Sequence, residues 1–158
     1  MADQVFNIAK GKVNGYVDRV ANNDPTNSAI VLVLLKAAEA DATLIDYDDL
    51  STLLAAAGNT EADFTNYARI VLTDADLTAP TPDDANDEQN ADFPDQTIIS
   101  AGGTTDNTLV KCIVCYDPDT TGGTDADLVP LTHQDYAVTT NGNNLNVNVN
   151  ASGFYSAG

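Results

Sequence analysis

Cysteine is the first residue type in this chain whose spacing could do chemistry. Cys112 and Cys115 share the Cys-x-x-Cys spacing of redox-active disulfides and of many zinc sites. They lie inside an apolar run that favours a β-strand, and strand residues three apart point to opposite faces. The sequence offers no further cysteine and only one histidine to complete four zinc ligands. We therefore predict two buried thiols that pack as small hydrophobic side chains.

The next segment begins like a calcium-binding loop. Starting at Asp117, acids occupy the first, third and ninth positions, and glycine occupies the sixth. The twelfth position, which should hold the bidentate acid that closes the coordination shell, is Leu128. This missing acid predicts a plain acidic turn over Asp117–Asp127. A weak cation site is the alternative, and it would make the melting temperature respond to calcium or to a chelator.

His133 is the single histidine of the chain, and Asp135 follows two residues later. A Ser-His-Asp or Cys-His arrangement also needs an activated nucleophile, and no serine here has the glycine-framed context of a nucleophile elbow. We therefore predict a histidine at the surface or at the end of a strand. Together with the cysteines and the acidic turn, this predicts no catalytic, cofactor-binding or metal-binding residue.

Negative charge dominates the composition around these residues. Asp and Glu number 24 against 6 Lys and Arg, and the stretch Val71–Val110 carries nine acids and no base. Such a surface repels phosphate backbones and anionic membranes at long range. We expect neither nucleic acid nor a membrane among the partners of this protein.

The elements that must position these residues fit one domain of ordinary size. The 158 residues are 43% hydrophobic, which is enough to build a core, so we assign residues 1–158 to a single domain. The first residues lack the basic start and the apolar stretch of a secretory signal. We expect synthesis in a cytoplasm.

Hydrophobic spacing predicts helices and strands in the N-terminal half. Residues 1–25 form an N-terminal arm with a short helix, because apolar residues recur at helical spacing from Val13 to Val20 and Pro25 ends the pattern. The next run favours a strand buried on both faces, although a buried helix fits its pattern too. This strand, a second helix and a second strand are predicted at Ala29–Leu35, from Tyr47 or Asp48 to Ala57, and at Tyr67–Leu72.

Between residues 73 and 95 the composition changes to Asp, Ala, Thr, Pro and Asn, which gives the segment little to bury. Prolines and like charges keep such a segment extended, so we predict a long acidic loop over residues 73–95. A solvated loop is the simplest interpretation. An arm that becomes ordered only against a partner is the alternative.

Strands and turns alternate in the C-terminal half. Asn141-Gly142 predicts a β-hairpin, because both residues tolerate positive φ. The predicted strands are Thr97–Ser100, Asn107–Tyr116, Leu128–Thr132, Tyr136–Thr139 and Leu145–Val149. The predicted fold class is mainly β (α+β), a single compact β-sandwich or barrel-like domain with one or two short helices and a long acidic loop.

Several short segments, spread along nearly the whole chain, can be compared with the sequences of known families. They are Asn7–Gly11, Asp24-Pro25, Asn27–Ala29, Ala40–Leu44, Asp46–Asp48, Tyr67–Arg69, Leu72–Leu77, Asp83–Asp87, Pro94–Thr97, Cys115–Asp117 and Val129–Thr132. In these segments the chain resembles a family of small structural proteins in the virions of tailed bacteriophages. The resemblance implies a non-enzymatic particle component, a head decoration or cement protein on the capsid surface, often a trimer.

The resemblance and the charge pattern together indicate how such a protein would attach. The resemblance implies the major capsid protein as partner and a homo-oligomer, with a trimer favoured. Half of all bases, namely Lys10, Lys12 and Arg19, lie in the N-terminal segment. We therefore expect this segment to anchor the protein against an acidic or neutral surface, with the acidic loop pointing outward or lying between subunits.

Two other functions are open on the sequence alone. A tail, neck or receptor-binding component of the same particle would share the composition and the fold. A small carbohydrate-active enzyme would place aromatic side chains beside paired acids. The aromatic residues available near the C-terminal strands are Tyr116, Tyr136, Phe154 and Tyr155.

Overall fold

The structure is a computed structural model that describes residues 4–150 and 153–158. The described helices are α1 (Val13–Ala21), α2 (Asp41–Leu44) and α3 (Leu50–Ala55), and a 3-10 turn covers Asn7–Ala9. The described strands are β1 (Gln4–Val5), β2 (Ala29–Ala37), β3 (Thr60–Glu61), β4 (Ile70–Leu72), β5 (Pro82–Asp83), β6 (Glu88–Ala91), β7 (Gln96–Ile98), β8 (Thr108–Asp117), β9 (Val129–Thr139), β10 (Leu145–Val147) and β11 (Tyr155–Ala157). The mainly β prediction is confirmed.

A six-stranded antiparallel sheet forms the centre of the molecule. Its strand order is β1-β9-β8-β2-β3, and β4 pairs with the same edge of β2 as β3 but nearer the start of β2. Two smaller sheets accompany it, one made of β10 and β7 and the other of β11, β6 and β5. The sheets do not close into a barrel.

The strands β2 and β8 lie side by side in the central sheet, and almost all their residues are buried. Their nearly unbroken apolar sequences explain this, because a strand covered on both faces needs no outward polar face. Val33, Ile113 and His133 form one row across the sheet, whereas Leu32 and Val114 point to the opposite face. Both faces must therefore be covered by the rest of the chain.

The helix α1 packs against the face that carries Tyr116. Val13, Val17 and Val20 are buried and recur at helical spacing, so the helix predicted from Val13 to Val20 is confirmed. The ring of Tyr16 contacts that of Tyr116, with centroids 4.6 Å apart. The side of α1 that carries Arg19 stays exposed.

The opposite face of the sheet meets the start of the chain and the helix α2. The ring of Phe6 lies edge-on to that of His133, with centroids 5.7 Å apart. Lys111 of β8 reaches Asp41, the first residue of α2. These contacts close the second face of the sheet.

The helix α3 begins three residues later than the start predicted at Tyr47. The Asp49 carboxylate accepts a hydrogen bond from the backbone N–H of Thr52 at 2.8 Å and thereby caps the helix. Leu50 and Leu53 are buried as the apolar stripe requires. Tyr47 lies outside the helix, and its hydroxyl donates to Glu39 at 2.7 Å.

The segment 73–95 is not a plain loop, so that prediction is wrong for its central part. The strands β5 and β6 form an antiparallel hairpin there, and β11 pairs with the other edge of β6. Ala91 and Phe93 are buried, and Phe93 packs on Phe154 with ring centroids 5.0 Å apart. The missing information was the distant C-terminal strand, which gives this polar segment both hydrogen bonds and an aromatic partner.

Two predictions for the C-terminal half are also wrong. The strands predicted at Leu128–Thr132 and Tyr136–Thr139 are one continuous strand, β9, because β8 pairs with it over nearly its whole length. Asn141-Gly142 does not join a β-hairpin, since β10 pairs with β7 and not with β9. Gly142 does have the positive φ that the motif predicts, at +86°.

No helix in the part of the chain that the structure describes combines the length and the apolar character needed to span a membrane.

We predict that alanine has opposite effects on stability at two glycines, Gly11 before α1 and Gly15 within it. A Cβ added at Gly15 or at Gly11 would meet no atom within 4 Å, but Gly11 has φ +72° whereas Gly15 lies inside α1. We expect Gly15→Ala to stabilise the protein by roughly 0.5–1 kcal/mol, because alanine is the better helix former. We expect Gly11→Ala to destabilise it by about 1 kcal/mol, because a side chain disfavours the left-handed region. Urea unfolding of both variants measures this, and equal signs would contradict it.

Candidate functional site

Cys112 and Cys115 lie in the two central strand pairings and point to opposite faces of the sheet. Cys112 faces Leu34 across the sheet and Cys115 faces Val31, and both thiols are free and buried. Burial raises the pKa of the Cys112 thiol to about 12 and also raises that of Cys115. The prediction of two buried thiols is confirmed, and at neutral pH neither is in the reactive thiolate form.

His133 is fully buried in the middle of β9, so the prediction of a surface or strand-end histidine is wrong. The reason is the continuity of β9, which places His133 opposite Ile113 and Gln4 and under the Phe6 ring. The imidazole belongs to the core of the sheet and does not face solvent.

The carboxylates of the acidic turn 117–127 are used within the protein. Asp119 accepts hydrogen bonds from the backbone N–H and the hydroxyl of Thr121, and Asp127 accepts the equivalent pair from Thr124. The same contacts lower the pKa of both carboxyls. Asp117, which is buried, accepts the backbone N–H of Asp119 at 2.9 Å. Within residues 4–150 and 153–158, no three His, Cys, Asp or Glu side chains are grouped to hold a metal ion.

Arg69 neutralises two acids from distant parts of the chain. Its guanidinium donates to Glu61 at 2.7 Å and to Asp125 at 2.9 Å. The hydrogen bond from Arg69 lowers the pKa of the Asp125 carboxyl, although partial burial opposes it. Glu61 also accepts the hydroxyl of Tyr67, which in turn accepts the backbone N–H of Leu34. This network joins the acidic turn to the edge of the central sheet.

Two further bases are paired in the same manner. Lys111 is only 7% exposed and donates to Asp41 at 2.6 Å and to Asp135. Burial lowers the pKa of the Lys111 ammonium, but its hydrogen bonds to the two carboxylates outweigh burial and raise the pKa overall. Lys36 pairs with Asp63 at 2.6 Å near the surface.

The other three bases lie together on the outer side of α1 and the turn before it. Lys10, Lys12 and Arg19 are exposed, and no described acid lies within 4.0 Å of their charged groups. A shallow depression here is lined by Gly11, Lys12, Gly15, Tyr16 and Arg19. We call this depression, together with Lys10, the basic strip.

An acidic surface lies next to the basic strip in the same molecule. We call residues 83–88, which include the turn between β5 and β6, the acidic hairpin. Asn14 of α1 donates to the backbone carbonyl of Gln89 at 3.0 Å and so holds the helix against β6. Asp84 and Asp87 are exposed and accept no hydrogen bond from the described residues. The protein thus displays free positive and free negative groups on neighbouring elements.

Comparison with known proteins identifies no relative. No family model matches the chain, and neither the curated proteins nor the solved structures contain a significant match.

The bases of the basic strip can be identified from the sequence, but the ion pairs of the other three bases cannot. Lys10, Lys12 and Arg19 stood out because they are close together in the sequence. Lys111 pairs with acids that lie 24 and 70 positions away in the sequence. Arg69 pairs with acids that lie 8 and 56 positions away. No local pattern encodes such pairings, so only the fold shows which bases are already neutralised.

Burial of both thiols predicts that they resist modification in the folded protein. We expect a thiol-reactive chromogenic reagent at pH 8 to label neither cysteine in native protein and to label both in denaturant. Rapid labelling of native protein, with its structure intact by circular dichroism, would contradict the placement of Cys112 and Cys115.

Loss of Arg69 should destabilise the protein in a pH-dependent way. We expect Arg69→Ala to lower the free energy of unfolding by about 2 kcal/mol, because two partly buried carboxylates lose their partner. Lys36→Ala is the control, and its surface pair should cost less than about 1 kcal/mol. Denaturant unfolding measures both.

The sign of the pH effect follows from Asp125, whose pKa is lowered in the folded state. Its stabilisation is fully present above the unfolded pKa of about 3.9 and is lost as pH falls through the folded pKa. The gap between wild type and Arg69→Ala should therefore shrink below about pH 4. A gap that stays constant or widens on acidification would contradict the ion pair.

Proposed function

We propose that this protein is a non-enzymatic structural component of a virion that binds and stabilises the capsid lattice as a decoration or cement protein. Its partner is the major capsid protein, and it acts on the capsid surface as a homo-oligomer, with a trimer favoured. The resemblance to small virion proteins of tailed bacteriophages supports this assignment.

The placement of the chemically reactive residue types is the observation that carries the proposal. Cys112, Cys115 and His133 lie inside the central sheet, and the carboxylates of the turn 117–127 cap turns or pair with Arg69. What the protein offers to its surroundings is a charged surface. Such a surface supports binding better than bond making.

Lattice attachment suits a protein with modest individual contacts. A capsid repeats the same subunit many times, so small interfaces repeated by symmetry add up when an oligomer contacts several subunits at once.

The aromatic residues do not favour the carbohydrate-active alternative. A sugar site needs an exposed ring face beside paired acids. Tyr116 is buried under α1, and Phe93, which borders a cleft with Asp83 and Asp92, is 6% exposed. Phe154 and Tyr155 border a second depression, but no described acid lines it.

Reconstitution on particles tests the proposed function. Capsids assembled without this protein should bind it at a copy number set by the lattice, and the decorated capsids should withstand heating or low salt better than bare ones. Immunogold labelling distinguishes the rival location. Label confined to the tail or neck, or a copy number unrelated to the lattice, would refute decoration of the head.

A further inference from the structure

We propose that the basic strip of one copy binds the acidic hairpin of the next copy, so that this pair of surfaces joins the subunits of a homo-oligomer. The proposal names the residues of the subunit contact and does not depend on attachment to a capsid. The occupant of the basic strip is thus a second copy of the same chain.

The bases of the protein differ in whether they already have an acid partner. Lys36, Arg69 and Lys111 each pair with at least one carboxylate of their own chain. Lys12 and Arg19 border a depression in which no described acid neutralises them, although Asp and Glu outnumber Lys and Arg 24 to 6. In a chain so rich in acids, bases that lack an acid partner and lie together on α1 and just before it form a surface ready for an external carboxylate.

The acids differ in a similar way, because some carboxylates accept hydrogen bonds within the protein and others do not. Asp119 and Asp127 are occupied by hydrogen bonds within the acidic turn, and Asp18 on α1 accepts the side chain of Asn22. Asp84 and Asp87, in contrast, sit on one exposed turn and accept no hydrogen bond from the described residues. The hairpin therefore presents two carboxylates whose only described surroundings are solvent.

The basic strip and the acidic hairpin lie on neighbouring elements of one copy but do not pair with each other there. Within one copy the hydrogen bonds from Asn14 to Gln89 fix α1 beside β6, yet no acid of the hairpin lies within 4.0 Å of a base in the strip. Each surface is therefore left available to its complement on another copy. Because the two surfaces are different, the contact is heterologous, and repeated contacts of this kind close into a ring when the rotation allows it.

Ionic strength decides when this contact can form. The net charge of −18 makes copies repel one another, but at an ionic strength of about 0.15 M repulsion beyond about 8 Å is largely screened. Charge pairs in direct contact persist under these conditions. At about 1 M the screening length falls to about 3 Å, and the contact itself weakens.

Sedimentation of the purified protein over a range of concentrations tests the proposal. At about 0.15 M salt we expect an oligomer, with three times the 16.6 kDa chain mass as the favoured size, and at about 1 M salt we expect monomer. Lys12→Glu with Arg19→Glu should raise the dissociation constant by about tenfold or more, because the strip then repels the hairpin. Asp84→Lys with Asp87→Asn should do the same.

Two further proteins separate this contact from a general charge effect. Lys36→Glu reverses the charge of a partly exposed base outside the strip and should leave association unchanged. The variant that carries all four substitutions places two acids in the strip and one base in the hairpin, and it should associate more tightly than either double variant. A wild-type monomer at every salt concentration, an unaffected strip variant, or a combined variant that associates no more tightly than the double variants would each overturn the proposal. Circular dichroism confirms that each variant is folded.

The outcome is distinguishable from a failure of the proposed function. Monomeric protein that still binds capsids at lattice copy number would overturn this contact and leave decoration standing. An oligomer that binds no capsid would leave this contact standing and overturn decoration.

Discussion

Burial of β8 on both faces is the constraint on which the rest of the structure depends. A strand with no outward face forces the chain to supply two covering layers. The helix α1 supplies one, and Phe6 together with α2 supplies the other. Because the valines of α1 must face the sheet and Asn14 contacts β6, the side that carries Lys12 and Arg19 is turned to solvent.

The same constraint divides the charges of the protein into two groups. Lys111 interrupts the apolar sequence of β8, and a buried ammonium is tolerated only with carboxylates beside it, which Asp41 and Asp135 provide. The bases of the basic strip lie on an outer surface where no such demand exists. Internal ion pairs thus stabilise the fold, while unpaired charges on α1 and on the acidic hairpin are available for binding.

Local patterns predicted the elements whose causes are local. The valine spacing predicts α1, and the apolar runs predict β2 and β8, because burial on one or both faces is encoded in the run itself. The hairpin β5–β6 and the continuity of β9 depend on partners far along the chain, β11 and β8. For the site, sequence proximity identified the bases of the strip, but burial of His133 and the pairing of the other bases required the fold.

The central claim is that the basic strip is a binding surface, and lysine reactivity in the associated protein tests it most directly. Acetylation rates of Lys10, Lys12 and Lys36 can be compared by mass spectrometry in the wild type and in a variant with Asp84→Asn and Asp87→Asn. The account predicts slower labelling of Lys10 and Lys12 in the wild type, with Lys36 equal in both proteins. Equal rates at all three lysines, in a wild type that is oligomeric, would contradict it.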